Sequence, residues 1–150
     1  MTKSLKISGK FIGTLTNHKT GEIFQWEKHN MVVQAGFNWL YQLMSNKTSR
    51  PQAITHIAFG TGTTTTTSNM TALVNEVYRA SVTANWDPIT REITFSGTIP
   101  TMSGLNVSIS EVGLFNAATG GTMFDRATFS PKGIDDQMSF DYNFVITLTE

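Results

Sequence analysis

Hydrophobic and polar residues alternate over the first thirty positions, which predicts a pair of strands. Ile7, Phe11 and Leu15 occupy odd positions, and the positions between them are mostly polar. A period of two is typical of a strand with one buried face. Turn-forming residues occupy positions 17–21, and a second run with spaced apolar residues follows. We therefore expect an N-terminal hairpin over residues 1–30.

The hydrophobic spacing then changes to that of a helix. Val33, Phe37 and Met44 are separated by four and seven residues, which places their side chains on one face of an α-helix. We predict a helical segment 31–46 whose regular part covers about residues 33–45. A glycine within it lowers helix stability by about 1 kcal/mol relative to alanine, so we expect the helix to be held by packing on a sheet.

Residues 54–149 return to the pattern of strands separated by turns. Alternation is clearest near the end, where aromatic and aliphatic residues occupy even positions from Phe140 to Leu148. The run Thr63–Thr67 has nothing to fill a core and predicts an exposed loop or an edge strand. The predicted fold is mainly β: a single antiparallel β-sandwich domain over residues 1–150 with one short α-helix.

Turn residues set further boundaries within this region. We predict one continuous strand over Val77–Trp86, because the turn signal Asp87-Pro88 comes only after it. A later strand, Thr122–Phe129, is expected to end where Ser130–Gly133 brings a proline and a glycine together.

The stretch Leu105–Phe115 contains a break in its alternation. Ile109 is at an odd position, whereas Val112 and Leu114 are at even positions. A regular strand would turn these two sets to opposite faces. We therefore predict a β-bulge or a sharp bend near Ser110–Glu111, so that both sets reach one core.

Composition restricts the class of partner. The chain has eleven basic and eleven acidic residues, no cysteine, 23 threonines and 12 serines. A net charge of zero offers no basic patch to replace counterions on phosphates, so we expect no nucleic-acid partner. No apolar run reaches the roughly 18 residues of a membrane-spanning helix, so we expect no membrane partner. Without cysteine, disulfide frameworks and cysteine-bound zinc are excluded.

Sequence motifs that carry chemistry are missing. There is no Walker loop, nucleophile elbow or zinc-protease motif, and His18, His29 and His56 lack the spacing of metal ligands. We therefore predict that the chain is not an enzyme, has no catalytic or metal-binding residues and takes no cofactor. Gly60-Thr61-Gly62 is interpreted as a turn with positive φ at glycine rather than as a phosphate loop.

Glu111 is the most informative charged residue. It lies at the phase break between apolar neighbours, so its carboxylate either faces solvent or is buried against a cation. Arg79 and Arg126 are the candidate partners. A buried pair would be structural, fixing register rather than adding much stability. The remaining structural or interaction candidates are Gly60, Gly62 and Gly113.

Large aromatic rings allow a second hypothesis. Trp and Tyr rings that are exposed and coplanar form platforms on which sugars stack, although most large rings in a small β domain belong to its core. The rings that would form such a platform here are Trp26, Trp39, Trp86, Tyr41 and Tyr78.

Three stretches carry a resemblance to a known family. They are Ile54–Gly62, Leu73–Arg79, and Ser110–Asn116 running on through Gly120–Pro131, and His29–Leu40 precedes them. In this order they resemble a family of small structural proteins of tailed bacteriophages, the tail-fibre and other virion proteins. The piece Glu-Val-Gly-Leu-Phe, followed by a turn and a strand, also resembles the attachment regions of tail-collar fibres.

The resemblance implies a structural role rather than an active site. The chain is expected to be a virion component that is assembled in the host cytoplasm, an adaptor or capsid-decoration module that docks on the tail, neck or capsid. Its partners would be other virion proteins and copies of itself, with a trimer as the favoured homo-oligomer. The alternative is a carbohydrate-binding module that contributes to adsorption on the host surface.

Overall fold

The computed structural model describes residues 3–150 as nine strands and one helix, α1 (Gln34–Ser45). The mainly antiparallel β fold with one short helix is confirmed. The strands are β1 (Lys6–Asn17), β2 (Ile23–Val32), β3 (His56–Gly60), β4 (Glu76–Ser81), β5 (Thr83–Asp87), β6 (Glu92–Ile99), β7 (Val107–Phe115), β8 (Met123–Ile134) and β9 (Met138–Thr149).

All nine strands belong to one antiparallel sheet that folds over on itself. Its order is β4-β3-β7-β8-β2-β1-β9-β6-β5. Most of β2 pairs with β1, but its last residues, Met31 and Val32, pair with Arg126 and Asp125 of β8. At the other side, β4 and β5 are joined by Val82 alone. The β2 strand and the continuous segment formed by β4, Val82 and β5 thus each pair with strands of both halves of the sandwich. The sheet is therefore nearly closed.

The core lies between the two halves and is rich in aromatic side chains. Phe59 of β3 contacts Phe140 and Tyr142 of β9, with ring centroids 5.2 and 5.1 Å apart. Phe11 of β1 meets Phe59 edge-on at 5.9 Å. Edge-to-face contacts at these distances are the favoured geometry of aromatic pairs. The alternation predicted for β1 and β9 thus places one face of each strand in this core.

The helix covers one end of the sandwich and packs on β8. Its span, Gln34–Ser45, matches the predicted 33–45, and no side chain caps its N-terminus. A Cβ at Gly36 would collide with the carbonyl oxygen of Phe124. Glycine therefore allows the helix backbone to rest directly on the strand. Trp39 adds an edge-on contact with Phe124 at 5.5 Å and donates a hydrogen bond to the Gln52 carbonyl.

The break in alternation within β7 lies where it was predicted. Ile109, Val112 and Leu114 are all buried in the same core, so the strand changes phase between residues 109 and 112. Pairing with β8 shifts at this point: Ile109 faces Lys132, whereas Glu111 faces Thr128. One residue of β7 therefore stands opposite three of β8, so the partner strand carries most of the irregularity.

Two local predictions are modified by the structure, and one that left two alternatives open is decided. The predicted strand Val77–Trp86 is divided at Val82, because its two parts pair with opposite ends of the sheet. The strand predicted to end at Phe129 continues to Ile134 through Pro131, which lies within the pairing irregularity, where a missing N–H is tolerated. Of the two alternatives predicted for Thr63–Thr67, the exposed loop is confirmed.

Deleting Ser110 should abolish the native fold. The deletion shortens β7 by one residue, about 3.3 Å, between the pair Ile109–Lys132 and the pair Glu111–Thr128. Pairing with β8 must therefore slip by one residue on one side of the gap, which turns those side chains to the other face. We expect loss of the cooperative thermal transition followed by near-ultraviolet circular dichroism. Inserting one glycine between Lys47 and Thr48, in an exposed loop, is the control and should leave the transition in place. An unchanged melting temperature for the deletion would show that the phase of β7 is not constrained.

Candidate functional site

The centre of the candidate site is the carboxylate of Glu111 on β7, which is fully buried. Its Oε1 accepts hydrogen bonds from the backbone N–H groups of Gly62 at 2.9 Å and Asn75 at 2.8 Å. Its Oε2 accepts one from the backbone N–H of Val74 at 3.0 Å. These donors belong to two irregular segments, one after β3 and one before β4. A single side chain thus holds both segments against β7.

The cation that neutralises Glu111 is Arg126 of β8. Its Nε and Nη2 donate to Oε2 of Glu111 at 3.0 and 2.8 Å, and neither side chain is exposed to solvent. Its Nη1 donates to the carbonyl of Thr64 and the hydroxyl of Thr66, both at 2.9 Å. Of the two predicted partners, Arg126 is therefore the one that binds Glu111. It also anchors the threonine-rich loop.

Gly60 and Gly62 provide room for the carboxylate. A Cβ at either position would lie within van der Waals overlap of Oε1 of Glu111, and the one at Gly62 would also meet Val74. The interpretation that these glycines form a positive-φ turn is wrong, because neither has a positive φ. They are needed for close approach instead. Gly113 is less tightly confined, because the atoms nearest to a Cβ at that position would lie 3.1 Å away.

Two opposing effects act on the pKa of Glu111. Burial removes water from the carboxylate and raises the pKa, whereas hydrogen bonds from Asn75, Val74, Arg126 and Gly62 lower it. The hydrogen bonds prevail and the pKa lies below its ordinary value. Glu111 is therefore a carboxylate in the fold, and its donors leave no free lone pair directed at a substrate.

Arg79, the other predicted partner, organises a separate turn. Its guanidinium pairs with Glu76 at 2.6 Å, and Nη1 donates to the carbonyls of Ala117 and Gly120 at 2.9 and 2.8 Å. The same guanidinium lies 3.8 Å from the ring centroid of Phe115. The β4 strand is thereby fastened to the turn between β7 and β8.

A second buried polar cluster was not predicted. Asp125 is fully buried, and neither of its carboxyl oxygens has a hydrogen-bond partner among the described residues. The amide of Asn30 is in the same condition. Both side chains crowd the position that a Cβ at Gly9 would take. Burial raises the pKa of Asp125 well above its ordinary value of 3.8.

The large aromatic rings do not form one exposed platform. Trp26 stacks on Phe140 with centroids 5.4 Å apart, and Trp39 packs on Phe124. Trp86 is 70% exposed. In the part of the chain that the structure describes, no group of three His, Asp or Glu side chains is placed to hold a metal ion.

The site and the fold together define a mainly antiparallel β domain stabilised by a buried ion pair. The chain matches no protein-family model, no curated protein and no solved structure. Over residues 3–150, no helix combines the length and the apolar character needed to cross a membrane.

Replacing Glu111 with Gln should destabilise the fold by about 3–5 kcal/mol, because Arg126 then remains buried without a counter-charge. Urea unfolding at neutral pH measures the loss. The matched control is Glu76→Gln, which breaks a partly exposed pair and should cost about 1 kcal/mol or less. A Glu111→Gln variant as stable as the control would contradict the structural role. The double variant Glu111→Gln/Arg126→Met should lose less than the two single changes together.

Replacing Asp125 with Asn should stabilise the protein increasingly as the pH rises. The folded state raises the pKa of Asp125, so stability is retained below the unfolded value and lost as pH rises towards the folded value. Asn has no proton to lose and avoids this loss. Urea unfolding of both proteins at pH 4, 6 and 8 should show a widening gap. A gap independent of pH would mean that Asp125 does not titrate as described.

Proposed function

We propose that this chain is a non-enzymatic structural component of a tailed-bacteriophage virion. In this proposal it is a small oligomeric adaptor or decoration module that docks on the tail, neck or capsid and is assembled in the host cytoplasm. Its partners are other virion proteins and copies of itself, with a trimer favoured. A protein in this role needs a rigid framework and surfaces that neighbouring subunits cover.

The observation that carries this proposal is the convergence of the resembling stretches on one buried centre. Ile54–Gly62 and Leu73–Arg79 supply backbone N–H donors to Glu111. Ser110–Asn116 contains Glu111 itself, and Gly120–Pro131 contains Arg126. The stretches on which the resemblance depends therefore each contribute a group to one buried centre, although residues such as Val74 and Val77 within them are exposed. This supports a role in architecture rather than in chemistry.

Apolar side chains exposed to solvent give the second support for this proposal. Large apolar side chains are exposed on several elements, at 70% for Trp86, 90% for Ile89, 69% for Ile23 and 69% for Met44. Few charged residues accompany them, since the chain has eleven of each sign in 150 residues. Surfaces of this kind are favourable when a neighbouring subunit covers them.

The carbohydrate-binding alternative receives less support. A sugar platform needs coplanar exposed rings, whereas Trp26 and Trp39 are packed against phenylalanines. Of the rings named for the platform, Trp86 and Tyr41 remain exposed, at 70% and 56%. Glycan binding that is lost in Trp86→Ala and kept in the equally exposed variant Ile23→Ala would favour this alternative.

The decisive experiment locates the polypeptide. Particles should be purified from the phage or induced lysogen that encodes the chain and analysed by quantitative mass spectrometry. We expect the chain in the particle at a copy number that matches a symmetric structure, a multiple of three for a trimeric component. Intact infectious particles without the chain would refute the proposal, and a chain in particles at another copy number would refute the trimer alone.

A further inference from the structure

The strand β5 ends the sheet and leaves one of its sides unpaired. Its five residues, Thr83–Asp87, pair with β6 on one side, and all five are exposed. Across residues 3–150, no strand pairs with the other side. Free N–H and C=O groups on such an edge are a template for another strand. Natural edges are protected by short length, charged side chains, proline or a bulge. The β5 strand is short and ends on Asp87, but its span contains no lysine, proline or bulge.

The side chains of β5 have two distinct faces. Ala84 pairs with Phe95 and Trp86 pairs with Ile93, and paired residues on antiparallel strands share a face. Phe95 is buried in the core, so Ala84 and Trp86 belong to the inner face of the sheet. Trp86 is nevertheless 70% exposed. An indole on the inner face of an edge strand thus lacks a neighbour to cover it.

An apolar groove adjoins this edge. It has a volume of about 430 Å³ and lies between α1 and the inner face of the sheet. Every residue that lines it is apolar, and Leu43, Met44, Ala84 and Ile93 are among them. A groove without polar groups favours an uncharged apolar occupant. Ala84 belongs to both the edge and the groove, which makes the two features one surface.

We propose that this surface binds a second copy of the chain, with β5 pairing antiparallel to β5 about a two-fold axis at Asn85. In this register Ala84 stands opposite Trp86 of the second copy, on the inner face. Each indole then covers the other copy's alanine at the mouth of its groove. Thr83 stands opposite Asp87, so a hydroxyl faces the carboxylate, and the two Asn85 amides face each other.

Charge and exposed apolar surface both favour this occupant. The single charged residue of β5 is Asp87, which faces a threonine and not its own equivalent in the two-fold register. Stable interfaces bury about 800 Å² on each partner, and a tryptophan supplies about 150–250 Å². The two indoles, Ile89 and the exposed residues of α1 provide apolar surface next to the paired strands. This contact extends the homo-oligomer of the proposed function by naming one of its interfaces.

A cysteine at position 85 provides a direct test, because the chain has no cysteine of its own. In the two-fold register the paired Cβ atoms lie about 4.5–5.5 Å apart, close to the separation that a disulfide needs. Asn85→Cys should therefore oxidise to a covalent dimer at low protein concentration. Thr83→Cys is the matched control: its two copies are displaced by four residues, about 13 Å, and should remain uncross-linked.

The mass of the native particle gives an independent measure. Sedimentation equilibrium should find an even number of chains in the wild-type particle and half that number in Ala84→Lys, which places a charge against the indole. Ile23→Lys, at another exposed apolar position, on β2, should keep the wild-type mass. If the trimer is also correct, the wild-type particle should contain six chains and Ala84→Lys three. If there is no trimer, the wild-type particle should contain two chains and Ala84→Lys one.

Three results would overturn the inference. They are an odd number of chains in the wild-type particle, no effect of Ala84→Lys on mass, and equal cross-linking by the cysteines at positions 83 and 85. Each is separate from the search for the chain in virions. The β5 contact and the proposed function can therefore fail independently.

Discussion

The buried pair between Glu111 and Arg126 is the constraint on which most of this structure depends. Taking two charges out of water costs several kcal/mol per ion, and their attraction offsets this only when the remaining hydrogen-bonding groups are satisfied. Here three backbone N–H groups donate further hydrogen bonds to the carboxylate, while a carbonyl and a hydroxyl accept hydrogen bonds from the guanidinium. The loops that provide them are held in place because the pair requires them.

This requirement explains why irregular segments surround β7 and β8. Gly60 and Gly62 lack side chains because the carboxylate occupies that space. The threonine-rich loop needs Thr64 and Thr66 near Arg126, and both are exposed or partly exposed residues that no core would order. A hydrophobic pair of similar volume could fill the same space, but it would leave these backbone groups without partners. The ion pair therefore orders the long connection between β3 and β4, residues 61–75, at several points that hydrophobic packing alone would leave free.

The regular part of the fold follows from sequence pattern alone. Alternation in β1 and β9 and the helical spacing in α1 each reflect one buried face, and a single sequence records that directly. The change of phase between Ile109 and Val112 was visible for the same reason. By contrast, Val77–Trp86 looks like one strand because each of its halves has strand-like residues. Its division at Val82 depends on which neighbours each half finds, and residue periodicity contains no information on that.

The candidate site shows the same limit. Glu111 is conspicuous as a charge among apolar residues, and the choice between Arg79 and Arg126 depended on pairing that only the structure supplies. The backbone donors Val74 and Asn75 could not be predicted, because every residue except proline has a backbone N–H group. The residue type therefore does not show which of these groups donates to a side chain. Asp125 was missed because acidic residues are common near turns and strand ends, and its sequence position looks like one of these. Its unpartnered burial becomes evident only from the fold.

The position of Asp125 links the polar interior to the closure of the sheet. It pairs with Val32 of β2, and Arg126 pairs with Met31, and these two pairs alone connect β2 to β8 in the described chain. An unpartnered carboxyl thus sits at the narrowest connection between the two halves, next to the residue that neutralises Glu111. Protonating Asp125 removes the cost of burying its negative charge, whereas protonating Glu111 weakens the hydrogen-bonded centre that its carboxylate forms. The two effects differ because the pKa of Asp125 is raised and the pKa of Glu111 is lowered. The junction is therefore most stable in the pH interval where Asp125 is neutral and Glu111 is charged.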